Sequence, residues 1–92
     1  MPEVRFTIRW PDGQEENCYS PSTAIHRHLE AGQTYEISDF LGRARAGLAE
    51  ASARVVAKYG FACSSALDQL ASIETTAASQ PADGQVICLS MT

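Results

Sequence analysis

The sequence predicts an α+β fold: a β-hairpin, three helices and a closing strand (ββαααβ), with a three-stranded sheet of order 2-1-3 carrying its helices on one face. Three observations predict it. Val4, Phe6, Ile8 and Trp10 alternate with Arg5, Thr7 and Arg9, the period of a half-buried strand. Phe40, Ala44, Leu48, Ala51, Val55 and Tyr59 recur at spacings of three or four, the period of a helix with one apolar face. A second extended run, 86–91, closes the chain. Ninety-two residues make one domain, 1–92.

Pro11-Asp12-Gly13 follows the first strand. Proline suits the second position of a turn, and glycine accepts the left-handed conformation that closes a three-residue hairpin loop. The second strand then covers 14–19. With three loop residues Phe6 faces Cys18 on the inner side and Arg9 faces Glu15 outside, an opposite-charge pair that favours this register. A two-residue Asp12-Gly13 loop would turn Cys18 outward with Thr7, because a one-residue slip reverses every side chain. The first register is preferred because Pro11 and Gly13 both fit it.

Ser20 reads as a helix N-cap with Pro21 at the first helical position, predicting a helix over 21–31 that stops at Gly32. Its apolar face is thin: Ala24, Ile25 and Leu29. An extended link at 34–37 leads to Ser38, read as the cap of the long helix 39–59, with Asp39 on its positive end. Gly60 ends that helix, and Phe61 is placed to fold back on Val56. Ser65 and Asp68 form a capping-box pattern opening a helix to 79, with Ala66, Leu70, Ile73 and Ala77 inward. Pro81-Ala82-Asp83-Gly84 is a turn. In the closing strand Ile87, Leu89 and Met91 are expected inward, and the strand is expected beside the first and parallel to it, by a right-handed crossover. Trp10 and Tyr35 are expected at the rim of the core.

The net charge of -4 argues against nucleic acid as a partner, since phosphate binding needs a concentrated cationic surface. Arg43, Arg45, Arg54 and Lys58 form a local basic group on one helix. A helix-turn-helix reader built from the two long helices is disfavoured because the last helix has no Lys or Arg. Three cysteines, Cys18, Cys63 and Cys88, without a CxxC pair and without a signal-peptide-like start, suggest reduced thiols and a cytoplasmic location. No apolar run approaches the ~20 residues of a membrane span.

The segment Asn17-Cys18-Tyr19-Ser20 raises the question of a reaction centre. A reactive thiol needs exposure and a lowered pKa. Cys18, beside Tyr19, is expected to pack on Phe6. Cys63, with Ser64 alongside, lies before a helix N-terminus and is the better candidate for a chemical thiol. His26 and His28 are about 200 degrees apart on a helix and do not share a ligand. A zinc site of Cys18, Cys63 and one histidine lacks the paired spacings of such sites. No metal or cofactor is expected. Gly42 and Gly47 inside the long helix suggest close approach by another element. Gly42, Ala46 and Ala49 leave a smooth strip suited to a homodimer contact.

Three stretches, RFTIRWPDG at 5–13, CYSPS at 18–22 and YGFACSSALDQL at 59–70, resemble a family of small bacterial nitrogen-starvation-response proteins. The resemblance covers nearly the whole chain in the same order and spacing, and weakens after Gln80. It implies a cytoplasmic role in a pathway whose gene cluster also encodes a nitrilase-superfamily enzyme, a radical-SAM protein, an acyltransferase and a flavoprotein. It implies no chemistry and transfers no catalytic residue. The function expected is therefore an accessory or binding protein of that pathway, with protein partners from it. A small enzyme or enzyme subunit using Cys63 or Cys18 is the competing reading.

Overall fold

A computed structural model describes residues 3–61 and 64–92. Strands β1 (Val4–Arg9) and β2 (Glu15–Ser20) form the hairpin. A short 3-10 turn, Thr23–Arg27, leads to β3 (Thr34–Glu36), which runs directly into α1 (Ile37–Tyr59). Helix α2 (Ser64–Ala78) and strand β4 (Gln85–Met91) follow. The sheet has the order β2-β1-β4-β3, every pair antiparallel, and the buried side chains of β1, β2 and β4 face α1 and α2.

The hairpin has the preferred register. Phe6 pairs Cys18 and Arg9 pairs Glu15, the latter with a 2.9 Å ion pair. The Trp10 N–H donates to the Gln14 carbonyl, and Gly13, at φ +91, donates back to Trp10. That left-handed glycine lets three residues reverse the chain without Cβ strain.

Several expectations are corrected. The helix at 21–31 is one 3-10 turn. Ser20 stays in β2 opposite Val4 and donates its hydroxyl to the Ser22 carbonyl, so the cap is Ser22, whose Oγ accepts from the Ala24 N–H. With so thin an apolar face, a longer helix has little burial to offset its nucleation cost. The link at 34–37 is instead a fourth strand, Tyr35 pairing Val86 on the free side of β4. Helix α1 accordingly starts at Ile37, capped by Glu36 without a side-chain bond, rather than at Ser38.

Strand β4 lies beside β1 as expected, but antiparallel to it. The reason is parity. Two long helices, not three, separate the last two strands. They take the chain away from the sheet at Glu36 and return it at Gln85, its register partner, with the Ile37 N–H bonded to the Gly84 carbonyl. A chain returned to its exit point runs back along the strand it left.

The inward set of β4 is also corrected. The pairing shifts between Thr7↔Ser90 and Ile8↔Cys88, leaving Leu89 unpaired. This bulge inverts the alternation. Met91 packs against the core as expected, but Val86 and Cys88 take the inward places of Ile87 and Leu89.

The apolar face of α1 is buried from Phe40 to Val55, while Tyr59 and Phe61 stand exposed, so Phe61 is not tucked under the helix end. Gly60 caps α1 at φ +82, its N–H on the Val56 carbonyl. Trp10 is not at the rim: it is fully buried, edge-on to Phe40 at 5.7 Å. Tyr35 is half-buried; its hydroxyl accepts from the Glu30 N–H, and the Arg43 guanidinium lies 4.9 Å from its ring. Among the described residues, no helix is long and apolar enough to cross a membrane.

The two glycines of α1 differ. A Cβ on Gly47 would lie 2.5 Å from Ile25 Cδ1, an atom of a fully buried side chain, and 3.3 Å from the His28 ring. The absent side chain is what lets the 3-10 turn lie against the helix. Gly42 meets nothing within 4 Å. Gly42→Ala should therefore raise stability by about 0.5–1 kcal/mol through helix propensity alone, whereas Gly47→Ala should lower it. Urea unfolding of the two variants checks the opposite signs.

Candidate functional site

The sequence-predicted candidates do not converge. Cys18 is buried opposite Phe6, with Sγ 3.8 Å from the Glu16 carbonyl and 3.9 Å from Glu16 Oε2. Burial above all, and then the negative charge of Glu16, push its thiol far above the ordinary value. Cys88 is also buried, and its pKa is raised by burial. Strand β1 lies between them, so the two sulfurs belong to strands about 9.5 Å apart, too far for a disulfide. Tyr19 sits on the opposite face of the sheet, half-buried, with the Arg5 guanidinium 5.7 Å from its ring. His26 is exposed on the 3-10 turn, and Ser64 is exposed at the first position of α2. Cys63 lies outside the described residues. Among the described residues, no group of three or more His, Cys, Asp or Glu side chains is placed to hold a metal ion.

The basic group expected on α1 is largely neutralised. Arg43 pairs Asp39 at 3.0 Å, Arg45 pairs Glu74 at 2.8 Å, and Arg54 approaches Glu50 at 3.6 Å. Glu50 also meets Arg27 at 3.1 Å and His28 Nε2 at 3.3 Å. The His28 hydrogen bond first, and then the two arginines, hold its carboxyl below the usual carboxylate range.

What the structure builds instead is a polar junction around Glu16. The register that turns Cys18 inward turns Glu16 inward too, two residues earlier on the same strand. An inward carboxylate must find donors or stay out of the core. Trp10 Nε1–H donates to Oε1 at 3.0 Å, while Gln69 Nε2 and Ser72 Oγ donate to Oε2 at 3.2 Å each. The Gln69 carbonyl oxygen in turn accepts from the Tyr19 N–H at 2.9 Å. Gln69 thereby ties α2 to the open edge of the sheet twice, once at a side chain and once at a backbone group that the edge would otherwise leave bare.

Beside this junction runs an open groove of about 590 Å³. Its sheet wall carries Arg5, Asn17 and Tyr19; its helix wall carries Ser65 and Asp68; the Glu16–Gln69–Ser72 array lies between. Glu15 and Glu16 are successive residues of one strand and so fall on opposite faces of the sheet. The available signal was that one of them must then face inward.

A second feature is the α1–α2 corner. The large exposed apolar side chains of the described residues are Val56, Tyr59, Phe61 and Leu67, at 43%, 49%, 69% and 56% exposure. All fall between positions 56 and 67, and the Tyr59 and Phe61 rings lie 6.4 Å apart.

Residues 5–91 match the family of the nitrogen starvation-induced protein NitG. The chain belongs to this family. The match takes in β1 through β4, so the closing strand, where the resemblance read from the sequence weakens, lies within the family's span. Both the groove and the corner fall inside it. Neither a curated protein nor a solved structure matches the chain.

Three outcomes follow from the site chemistry. Cys18 and Cys88 should resist a thiol-specific disulfide reagent in the native protein and react fully in denaturant. Because folding raises both thiol pKa values, the unfolded state loses these protons first as pH rises. Their contribution to stability should thus be intact below the ordinary thiol value of 9.0 and decline above it. Urea midpoints measured from pH 7 to 10 show the slope, and Cys88→Ala should reduce it. Separately, Glu16→Ala removes the acceptor of the buried Trp10 N–H and should cost about 1–3 kcal/mol. A change in the Trp10 fluorescence maximum should accompany it.

Proposed function

We propose that this NitG-family protein is a non-catalytic accessory protein of the nitrogen-starvation response, and that it works by docking a protein partner of the same pathway at the α1–α2 corner. The observation that carries this reading is the clustering of Val56, Tyr59, Phe61 and Leu67 at one end of the helix pair. Scattered exposed apolar residues are ordinary, but two neighbouring exposed aromatics, the Tyr59 and Phe61 rings 6.4 Å apart, have the composition of a protein-binding anchor. Lys58, with its ammonium 5.7 Å from the Tyr59 ring, gives the patch a charged margin.

The chemistry of the described thiols supports the non-catalytic half of the reading. A nucleophilic cysteine needs a stabilised thiolate and access; Cys18 and Cys88 have neither. The acidic net charge and the paired arginines of α1 weigh against a nucleic-acid partner. Homodimerisation through Gly42, Ala46 and Ala49, all exposed on α1, is the other protein–protein contact within this proposal.

The partners to test are the nitrilase-superfamily enzyme and the radical-SAM protein that the family resemblance implies. Immobilised protein should retain at least one of them. The double variant Tyr59→Ser/Phe61→Ser should weaken retention tenfold or more, as loss of an anchor does, with an unchanged unfolding midpoint. Retention of neither partner, or equal retention by the double variant, overturns the docking assignment. Sedimentation of the free chain as a monomer removes the homodimer.

A further inference from the structure

The groove between β2 and α2 has a charge pattern that the fold itself does not use. Among the described residues, Arg9, Arg27, Arg43, Arg45 and Arg54 each reach a carboxylate, and Arg5 does not. Its guanidinium lies along the Tyr19 ring on the sheet wall of the groove. On the helix wall, Asp68 makes no hydrogen bond or ion pair with any described residue. An unpaired cation and an unpaired anion thus line one cavity from opposite walls without meeting each other.

The floor between them is fixed. Both Glu16 oxygens are occupied, by Trp10 on one side and by Gln69 and Ser72 on the other, and Gln69 is held in turn by the Tyr19 backbone. A site whose supporting side chains are already bonded loses little entropy when a ligand arrives.

From this pattern we infer that the groove binds a small zwitterion of the α-amino-acid class, its carboxylate on the Arg5 guanidinium and its ammonium on Asp68. A bare anion would gain Arg5 but face the carboxylates of Asp68 and Glu16. A bare amine would gain Asp68 but face the guanidinium. Only a ligand carrying both charges meets both walls. The planar fork of arginine suits a carboxylate. The groove shares the first turn of α2 with the α1–α2 corner but none of its four exposed apolar side chains, and the inference does not rest on partner docking there.

The test is an NMR titration of the isotopically labelled protein with free α-amino acids, their amides, which lack the carboxylate, and their N-acetyl derivatives, which lack the ammonium. At least one amino acid should shift the Tyr19 and Gln69 signals saturably, and its amide and N-acetyl forms should each bind roughly tenfold more weakly or worse. Both groups are exposed, so Arg5→Gln and Asp68→Asn should fold normally. Arg5→Gln should abolish the preference over the amide while keeping that over the N-acetyl form, and Asp68→Asn should do the reverse. No saturable shift with any amino acid, an amide or amine that binds as well as its parent, or affinities indifferent to both substitutions would each overturn the assignment.

Discussion

The fold turns on one inward-facing carboxylate. Glu16 stands on an edge strand, on the side of the sheet where its neighbour Cys18 is fully packed. It is tolerable there because donors from β2's own hairpin and from α2 arrive together. Trp10 is delivered by the hairpin register, and Gln69 and Ser72 by one face of α2. Each requirement constrains the others. Slip the register, and the indole no longer reaches; rotate α2, and the carboxylate is left with one donor instead of three. The packing of the second helix over the hairpin is therefore specified by hydrogen bonds as well as by the alanine-rich apolar face of α2, whose small side chains define position only loosely.

Much of the frame was legible in the residues. Pro11 and Gly13 specified the loop, and with it the register and the direction of Cys18. The recurrence from Phe40 to Val55 specified α1, and Gly60 its end. The failures have physical causes. Local sequence does not report a bulge, so the alternation of β4 was read straight through Leu89. Nor does it report the number of times a chain crosses the core. Serine and proline at positions 20–22 carry a real capping signal, but they stop a strand and start a single turn, because too little apolar surface follows to hold a longer helix. The short edge strand at Thr34–Glu36 has only three residues, too few for a period to show.

The candidate site was less legible for a different reason. Cysteine and histidine attract attention by their chemistry, whereas the groove is assembled from an ordinary arginine, aspartate, glutamine and glutamate lying far apart in sequence. Their significance comes from which of them find partners. In a molecule where most arginines are matched to carboxylates, a mismatch is informative, and matching is a property of three-dimensional arrangement. Gly47 teaches a similar lesson. Its helix-breaking cost is visible in sequence, but the reason for accepting that cost, the approach of Ile25 and His28, is not.

The strand order carries a consequence for how the molecule is made. The two inner strands, β1 and β4, stand at opposite ends of the sequence. During vectorial synthesis the hairpin emerges before β4 and waits with the flank of β1 that β4 covers unzipped. Helical segments form while it waits, but the sheet stays in two pieces until Gln85–Met91 has cleared the exit tunnel. A nascent chain stalled before that point presents an uncovered inner strand, the very surface that recruits cross-pairing between neighbouring chains.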